Sequence, residues 1–267
     1  DVESRGLGDV YKRQLQNIPI RKELGSHIRE MFIASKGNVL VDADYSQIEL
    51  RLLAHISGDE HMRAAFLSGE DIHTVTASQV FNTPIDEVTP LQRSRAKAVN
   101  FGIVYGISDF GLARQLGISR KEAARYIDLY FMRYPGVHTY LKGCVERAKQ
   151  QGAATTLFGR RREMPELKSS NYNTRSFGER VAMNMPIQGT AADIIKLAMV
   201  RVHNELKARG MKSELILQIH DELIIDAVQE EADAAAEILK SCMENVVNLK
   251  VPLLAEVHTG HSWFDTK

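Results

Sequence analysis

In ELILQIHDELIIDAV, at 214–228, two apolar runs rich in Ile and Leu stand on either side of the polar residues His220, Asp221 and Glu222. Short β-type runs separated by a few polar residues read as a β-hairpin. This commits the end of the chain to antiparallel sheet and puts acidic residues at an exposed hairpin tip.

A second strand signal lies far upstream. In NVLVDADYS, Val39 and Val41 alternate against Leu40 and Asp42, and QIELRLLAHI then takes helical spacing. Ser46 and Glu49 stand three apart, the spacing of a capping box, which predicts the helix start there and leaves Asp44 at the strand's end. Asp42, two residues earlier, points to the same face as Asp44 and reads as a structural or supporting carboxylate.

Between these signals, His73 to Tyr140 is helical in pattern, with Ser119 and Glu122 spaced as a capping box and Pro135 closing the helix that follows. Thr190 and Asp193 repeat the spacing before IIKLAMVRVHNELKAR, and Gly210 stands where a C-capping glycine belongs. A last helix, EEADAAAEILKSCMENVV, precedes a short VPLLAEV strand. The pattern has no repeat and predicts an α+β fold, a sheet with helices interrupted by a helical subdomain. With 267 residues and 44% apolar content, one large domain or two closely packed ones can bury a core. The opening stretch DVESRGLGDVYKRQ lacks periodicity and reads as tag or read-in.

Thirty-four basic residues balance 34 acidic ones, so no net positive field announces a nucleic-acid partner and any such binding falls to local patches. Two cysteines, Cys144 and Cys242, are too few and too far apart for a disulfide framework or a zinc cluster. No apolar run approaches membrane-span length and no signal peptide is visible, so the expected setting is the cytoplasm, without a membrane partner.

Asp44 and the Asp221/Glu222 pair, on two strand ends, supply the oxygen ligands that hard divalent cations need, magnesium foremost. Two-metal phosphoryl transfer requires bridging carboxylates of this kind. The same residues fit ordinary turn and cap positions. In RSRAKAVNFGIVYG, Arg93, Lys97, Phe101 and Tyr105 recur every four residues and drift only about 40° per step, sharing a face about 18 Å long. Two cations followed by two rings suit a nucleoside triphosphate, the cations meeting phosphates and the rings packing on sugar and base; a basic helix end followed by a core-facing aromatic end is the alternative. Arg180, Asn184 and Gln188 repeat the spacing of four and could read minor-groove acceptors or form a solvated face. Arg160, Arg161 and Arg162 follow Gly159 in a turn, open to phosphates or to solvent.

Taken together, DYSQIELR at 44–51, the Arg93-to-Gly106 helix and HDE at 220–222 resemble, in order and separation, the three polymerase motifs of family A DNA polymerases. The resemblance runs from LQNIPIR at Leu15 through GEDIHT at Gly69 and PIQGTAADIIK at Pro186 to the end of the sequence.

That resemblance implies a right-hand palm with helical fingers: palm in 15–56 and 174–267, fingers in 57–173, with 1–14 unmatched. It implies a DNA-template-directed DNA polymerase taking dNTPs and primer-template DNA, with two magnesium ions held by Asp44, Asp221 and the backbone carbonyl of Tyr45, and Glu222 in support. Arg93, Lys97 and His73 would hold the triphosphate, and Lys97 would protonate the departing pyrophosphate. Tyr105 would pack by the templating base, Gln47 would sit in the nucleotide site, and Glu49 would block a ribose 2′-hydroxyl. Phe101, where some members carry Tyr, goes with rejection of dideoxynucleotides. Arg180, Asn184, Gln188 and His220 would touch primer and template. Leu7 stands where the family has a primer-contacting Arg. The chain resembles the C-terminal part of a longer, monomeric bacterial or phage enzyme, without its thumb and exonuclease domains, so its grip on duplex is expected to be weak.

Two rivals compete with this reading. LARQLGISRKEAARYI, with Gly117 at the turn, fits a helix-turn-helix regulator. A metal-dependent nuclease needs the same carboxylates but no triphosphate face.

Overall fold

The computed structural model describes Ile18 and residues 27–267. Residues 1–14, Leu7 among them, and the LQNIPIR stretch apart from Ile18 lie outside the described residues. Chain contacts divide the protein into two compact units: residues 1–46, 194–247 and 253–267, and residues 47–193 with 248–252.

The first unit carries a four-stranded antiparallel sheet. Its strands are β1 (Asn38–Tyr45), β4 (Glu214–Ile219), β5 (Glu222–Val228) and β6 (Ala255–Gly260), in the order β4-β5-β1-β6. The hairpin expected around His220 forms, its turn made by His220 in the left-handed region at φ 53°. β1 is central, pairing with β5 on one side and β6 on the other. Its alternation is therefore lost to burial on both faces: Leu40, Val41, Asp42 and Ala43 are all buried.

On one face, helix α9 (Ala232–Glu244) packs against β1, β5 and β6 through Ala232, Ala235, Ile238, Leu239 and Met243, an apolar stripe at helical spacing. Tyr45 donates its hydroxyl to the carbonyl of Met243 at 2.7 Å on that side. The other face packs Leu40 and Ile224 with Trp263, which is fully buried. The last strand starts at Ala255, four residues later than the VPLLAEV expectation, and Val251 and Leu253 serve as buried packing residues instead.

The second unit is mainly helical. Its helices are α1 (Ile48–Ser57), α2 (Glu60–Leu67), α3 (Ile72–Phe81), α4 (Pro90–Val104), α5 (Asp109–Leu116), α6 (Arg120–Arg133), α7 (Pro135–Gln151) and the part of α8 (Tyr172–Ala208) up to Asp193. A two-stranded hairpin, β2 (Ala153–Thr155) and β3 (Arg161–Glu163), completes it. Ser119 caps α6 as expected, accepting from the amide of Glu122 at 3.2 Å, and Pro135 ends the preceding helix by opening α7.

Two capping expectations fail. α1 starts at Ile48, with Gln47 as N-cap in the left-handed region and no side-chain cap bond from it. The Thr190–Asp193 start does not exist, because α8 runs unbroken for 37 residues through Pro186. Thr190 turns its hydroxyl back to the Pro186 carbonyl and accepts from the amide of Leu157 at 3.0 Å. Asp193 accepts from Thr156 at 2.9 Å and pairs with Arg160. Both residues are spent on tertiary ties to the 156–160 turn, although their spacing is that of a cap. At the far end Gly210, at φ 67°, closes the helix as expected, donating to Lys207 while Met211 donates to Leu206.

Candidate active site

In the first unit the β1–β5 register sets Asp44 opposite Glu222, and the amide of Tyr45 donates to the Asp221 carbonyl at 3.2 Å. Residues directly opposed in an antiparallel pair share a sheet face, so ladder and turn gather the carboxylates from two distant parts of the sequence. The tip is not exposed as expected: Glu222 is buried and Asp221 half-buried, with His220 alone exposed. Glu222 is held by the indole N–H of Trp263 and by Lys267 Nζ at 3.1 Å. The same ammonium lies 3.0 Å from Asp42, which also accepts from Thr266 at 2.9 Å.

Charge is under-compensated here. Burial, then the negative charge of Asp221, lifts the Asp44 carboxyl to about 7 in spite of Lys267. Burial also raises Asp221, against its own backbone N–H and His220. Burial and the adjacent Glu222 push Asp42 to about 7, with Lys267 pulling the other way. Asp44 Oδ1 is buried and has no hydrogen-bond partner among the described residues. Crowded carboxylates with an orphaned oxygen form a donor set that a hard divalent cation fits, since a cation favours the ionised forms that burial penalises. Among the described residues no three His, Cys, Asp or Glu side chains converge as a ready-made metal cage.

The second unit brings the other candidates together by itself. α4 starts with Thr89 capping Gln92 in a full capping box and Pro90 in the first turn. It buries Ala96, Val99, Asn100 and Ile103, which leaves Arg93, Lys97 and Phe101 on its opposite, more open side. Tyr105 is the C-cap and not the last turn of the helix, and it donates its hydroxyl to Glu49 at 2.9 Å. Arg93 donates to Asp71 at 2.7 Å. Asp71 in turn caps α3 through the amides of His73 and Thr74. Although burial raises it, hydrogen bonds from Arg93 and Thr74 hold Asp71 at about 2. His73 is buried beside Phe101, ring centroids 5.7 Å apart, and burial lowers it to about 4. Arg93, Lys97 and Phe101 therefore lie together on this side, two cations and a ring, with the neutral imidazole of His73 buried against Phe101. Gln47 Oε1 is buried without a hydrogen-bond partner among the described residues.

On α8, Arg180 and Gln188 are exposed and Asn184 half-buried, near the Tyr105 carbonyl. The three arginines of the β2–β3 turn are not free cations: Arg160 pairs with Asp193, Arg161 with Glu163 at 2.8 Å, and Arg162 lies 3.9 Å from Glu166.

The model of DNA polymerase family A matches residues 10–265. The chain belongs to that family. It is 56% identical to DNA polymerase I of Caldicellulosiruptor bescii over 253 residues, covering 95% of this chain and 30% of the relative. To DNA polymerase I of Lactococcus lactis subsp. lactis it is 52% identical, over all of this chain and 31% of the relative. Among solved structures it is similar to the POL domain of Pol1 from M. smegmatis in complex with DNA primer-template and dNTP, at 47% identity and TM-score 0.91, over 94% of this chain and 45% of that one. The α+β fold is that of a family A polymerase domain, and the chain spans about 30% of the length of the curated relatives it matches.

Within a family A polymerase, the helix-turn-helix formed by α5, Gly117 and α6 is local packing. Arg120 pairs with Asp109 at 2.6 Å, and Tyr126 and Tyr130 face the core. Sequence reading did not find Trp263, Lys267 and Asn100. The first two sit far from the carboxylates in sequence, and no local spacing signals them. Asn100 did carry a signal, an amide on the apolar side of α4.

Proposed function

We propose that this chain is the palm and fingers of a DNA-template-directed DNA polymerase, with palm in 15–56 and 174–267 and fingers in 57–173. The observation that carries the reading is the Asp44–Asp221 pair: two half-buried carboxylates lifted above their ordinary range on neighbouring strand ends, one with an orphaned oxygen. The likeness to a polymerase domain solved with primer-template and dNTP supports it.

The reaction is attack of a primer 3′-hydroxyl on the α-phosphorus of a dNTP. The hydroxyl's proton passes to water, a P–O bond to the primer forms, the bond to the bridging oxygen breaks, and pyrophosphate leaves. Asp44, Asp221 and the Tyr45 carbonyl would hold two magnesium ions, with Glu222 in support; when bound, the ions lower the cost of the attacking and departing oxygens' charge. Arg93, Lys97 and His73 hold the triphosphate, and Lys97 delivers a proton to the departing pyrophosphate. Glu49, tied to Tyr105, closes the space of a 2′-hydroxyl, and Gln47 lines the same nucleotide site. Tyr105 itself packs by the templating base. Phe101 packs against the sugar and disfavours dideoxynucleotides. Arg180, Asn184, Gln188 and His220 contact primer and template.

Primer extension with magnesium and four dNTPs tests the reading against an Asp44→Ala/Asp221→Ala double variant. Extension by the parent alone is expected. Equal extension by both would refute the assignment, and degradation of the primer without extension would favour a nuclease.

A further inference from the structure

We propose that Asn100 is a positioning residue that fixes His73 as its Nε2–H tautomer, making the imidazole a neutral, directional hydrogen-bond donor to a phosphate oxygen of the incoming nucleotide. The role in nucleotide binding rests on the function proposed above. The tautomer rests on geometry alone.

Asn100 is 0% exposed and His73 2%. The amide Nδ2 of Asn100 lies 2.9 Å from Nδ1 of His73. An amide nitrogen can only donate, so Nδ1 accepts and the single ring hydrogen of the neutral imidazole stands on Nε2. In that orientation Asn100 Oδ1 accepts from Thr76 Oγ1 at 3.2 Å, and Thr76 Oγ1 lies 3.4 Å from the Tyr134 hydroxyl. Tyr134, Thr76, Asn100 and His73 thus form a buried hydrogen-bonded row. The row spans α3, α4 and the residue between α6 and α7, so three elements hold one ring orientation.

Apolar neighbours on α4, Ala96, Val99 and Ile103, would pack as well against a leucine as against an amide, and a buried amide without partners is costly. The donated bond to His73 is what the amide supplies. Burial and the charges of Lys97 and Arg93 keep the ring unprotonated, in agreement with a neutral donor. Two cations already serve the nucleotide on this surface. A neutral donor adds direction without adding a third charge to be desolvated.

Long-range ¹H–¹⁵N spectra of the histidine rings in the 267-residue chain read the tautomer without any ligand. His73 should show the Nε2–H pattern, and Asn100→Leu should lose it. If Asn100→Leu does not fold, Thr76→Val, which releases the amide's back partner, should give a mixture of tautomers. Binding of dTTP should weaken about fivefold to tenfold in Asn100→Leu, the effect of one hydrogen bond, and this loss should vanish in a His73→Ala background. An Nδ1–H ring in the parent would mean that the amide faces the other way and would overturn the proposal. Equal losses with and without His73 would overturn it too, by reducing Asn100 to a packing residue. A parent with the Nε2–H ring that binds no dTTP would remove the nucleotide reading and the role with it, while the relation between the two side chains would stand.

Discussion

At the scale of single residues the protein carries charges in places that cost it stability, and the sign of each cost can be worked out. Burial, with the help of Lys97 and Arg93 and against the pull of Asp71, takes His73 from 6.5 to about 4. Between those values the unfolded chain binds the proton and the folded one does not. Stability present above pH 6.5 is therefore lost as pH falls toward 4, by about 3 kcal/mol in all for a fully buried ring. Urea unfolding from pH 7.5 to pH 4 should show this loss, and His73→Gln should remove it; an unchanged slope would place the titration elsewhere. Asp71, held at about 2, adds its own loss only below 3.8. Asp44 has the opposite sign. Its carboxyl, lifted from 3.8 to about 7, contributes stability that is fully present below pH 3.8 and gone above about 7. Asp44→Asn should accordingly raise stability by about 1–3 kcal/mol at pH 7.5 without divalent ions while abolishing primer extension. A destabilised Asp44→Asn would show that the carboxylate is compensated in a way the geometry does not reveal.

At the scale of elements the sheet is held by a cation from outside its strands. Lys267 pairs with both Asp42 on β1 and Glu222 on β5. Lys267→Met leaves two buried carboxylates without their ammonium and should cost about 3 kcal/mol. Adding Asp42→Leu should return part of that, because the lost pair is replaced by apolar contact; thermal melts of both variants check it. At the end of α4, Gly106 turns the chain at φ 66°, and a Cβ there would meet Met183 Cε at 2.7 Å. Gly106→Ala should destabilise by about 1–2 kcal/mol. The sequence announced elements better than their starts. The hairpin, β1, α4 and α6 follow from periodicity, and Ser119 from its spacing. Ser46 and Thr190 have the same spacing as Ser119, yet Gln47 takes the first cap and the second helix is already under way. Capping chemistry is legible only where no long-range partner competes for the side chain, and Thr156, Leu157 and Arg160 compete for Asp193 and Thr190.

At the scale of the whole molecule, three separated motifs identified the family, since catalytic chemistry fixes residue types more tightly than packing does. What they did not reveal are the groups that support them, Trp263, Lys267 and Asn100, whose partners are set by folding and not by spacing. Composition leads to the last prediction. With 34 basic residues against 34 acidic ones, attraction to a polyanion cannot come from a net field. Several surface cations are also spent internally: Arg93 on Asp71, Arg120 on Asp109, Arg160 on Asp193 and Arg161 on Glu163. With those four paired and no net field, counterion release from DNA falls to local patches, so the affinity for primer-template should fall with salt by a shallow law, a log–log slope of no more than about 4 in magnitude. Fluorescence anisotropy of a labelled primer-template between 25 and 200 mM salt measures that slope. Extension should correspondingly stop after a few nucleotides per encounter when a trap DNA is present. A slope near 8 would mean that a phosphate footprint of that size forms on binding, and the internal ion pairs of Arg93, Arg120, Arg160 and Arg161 would then be the first to test.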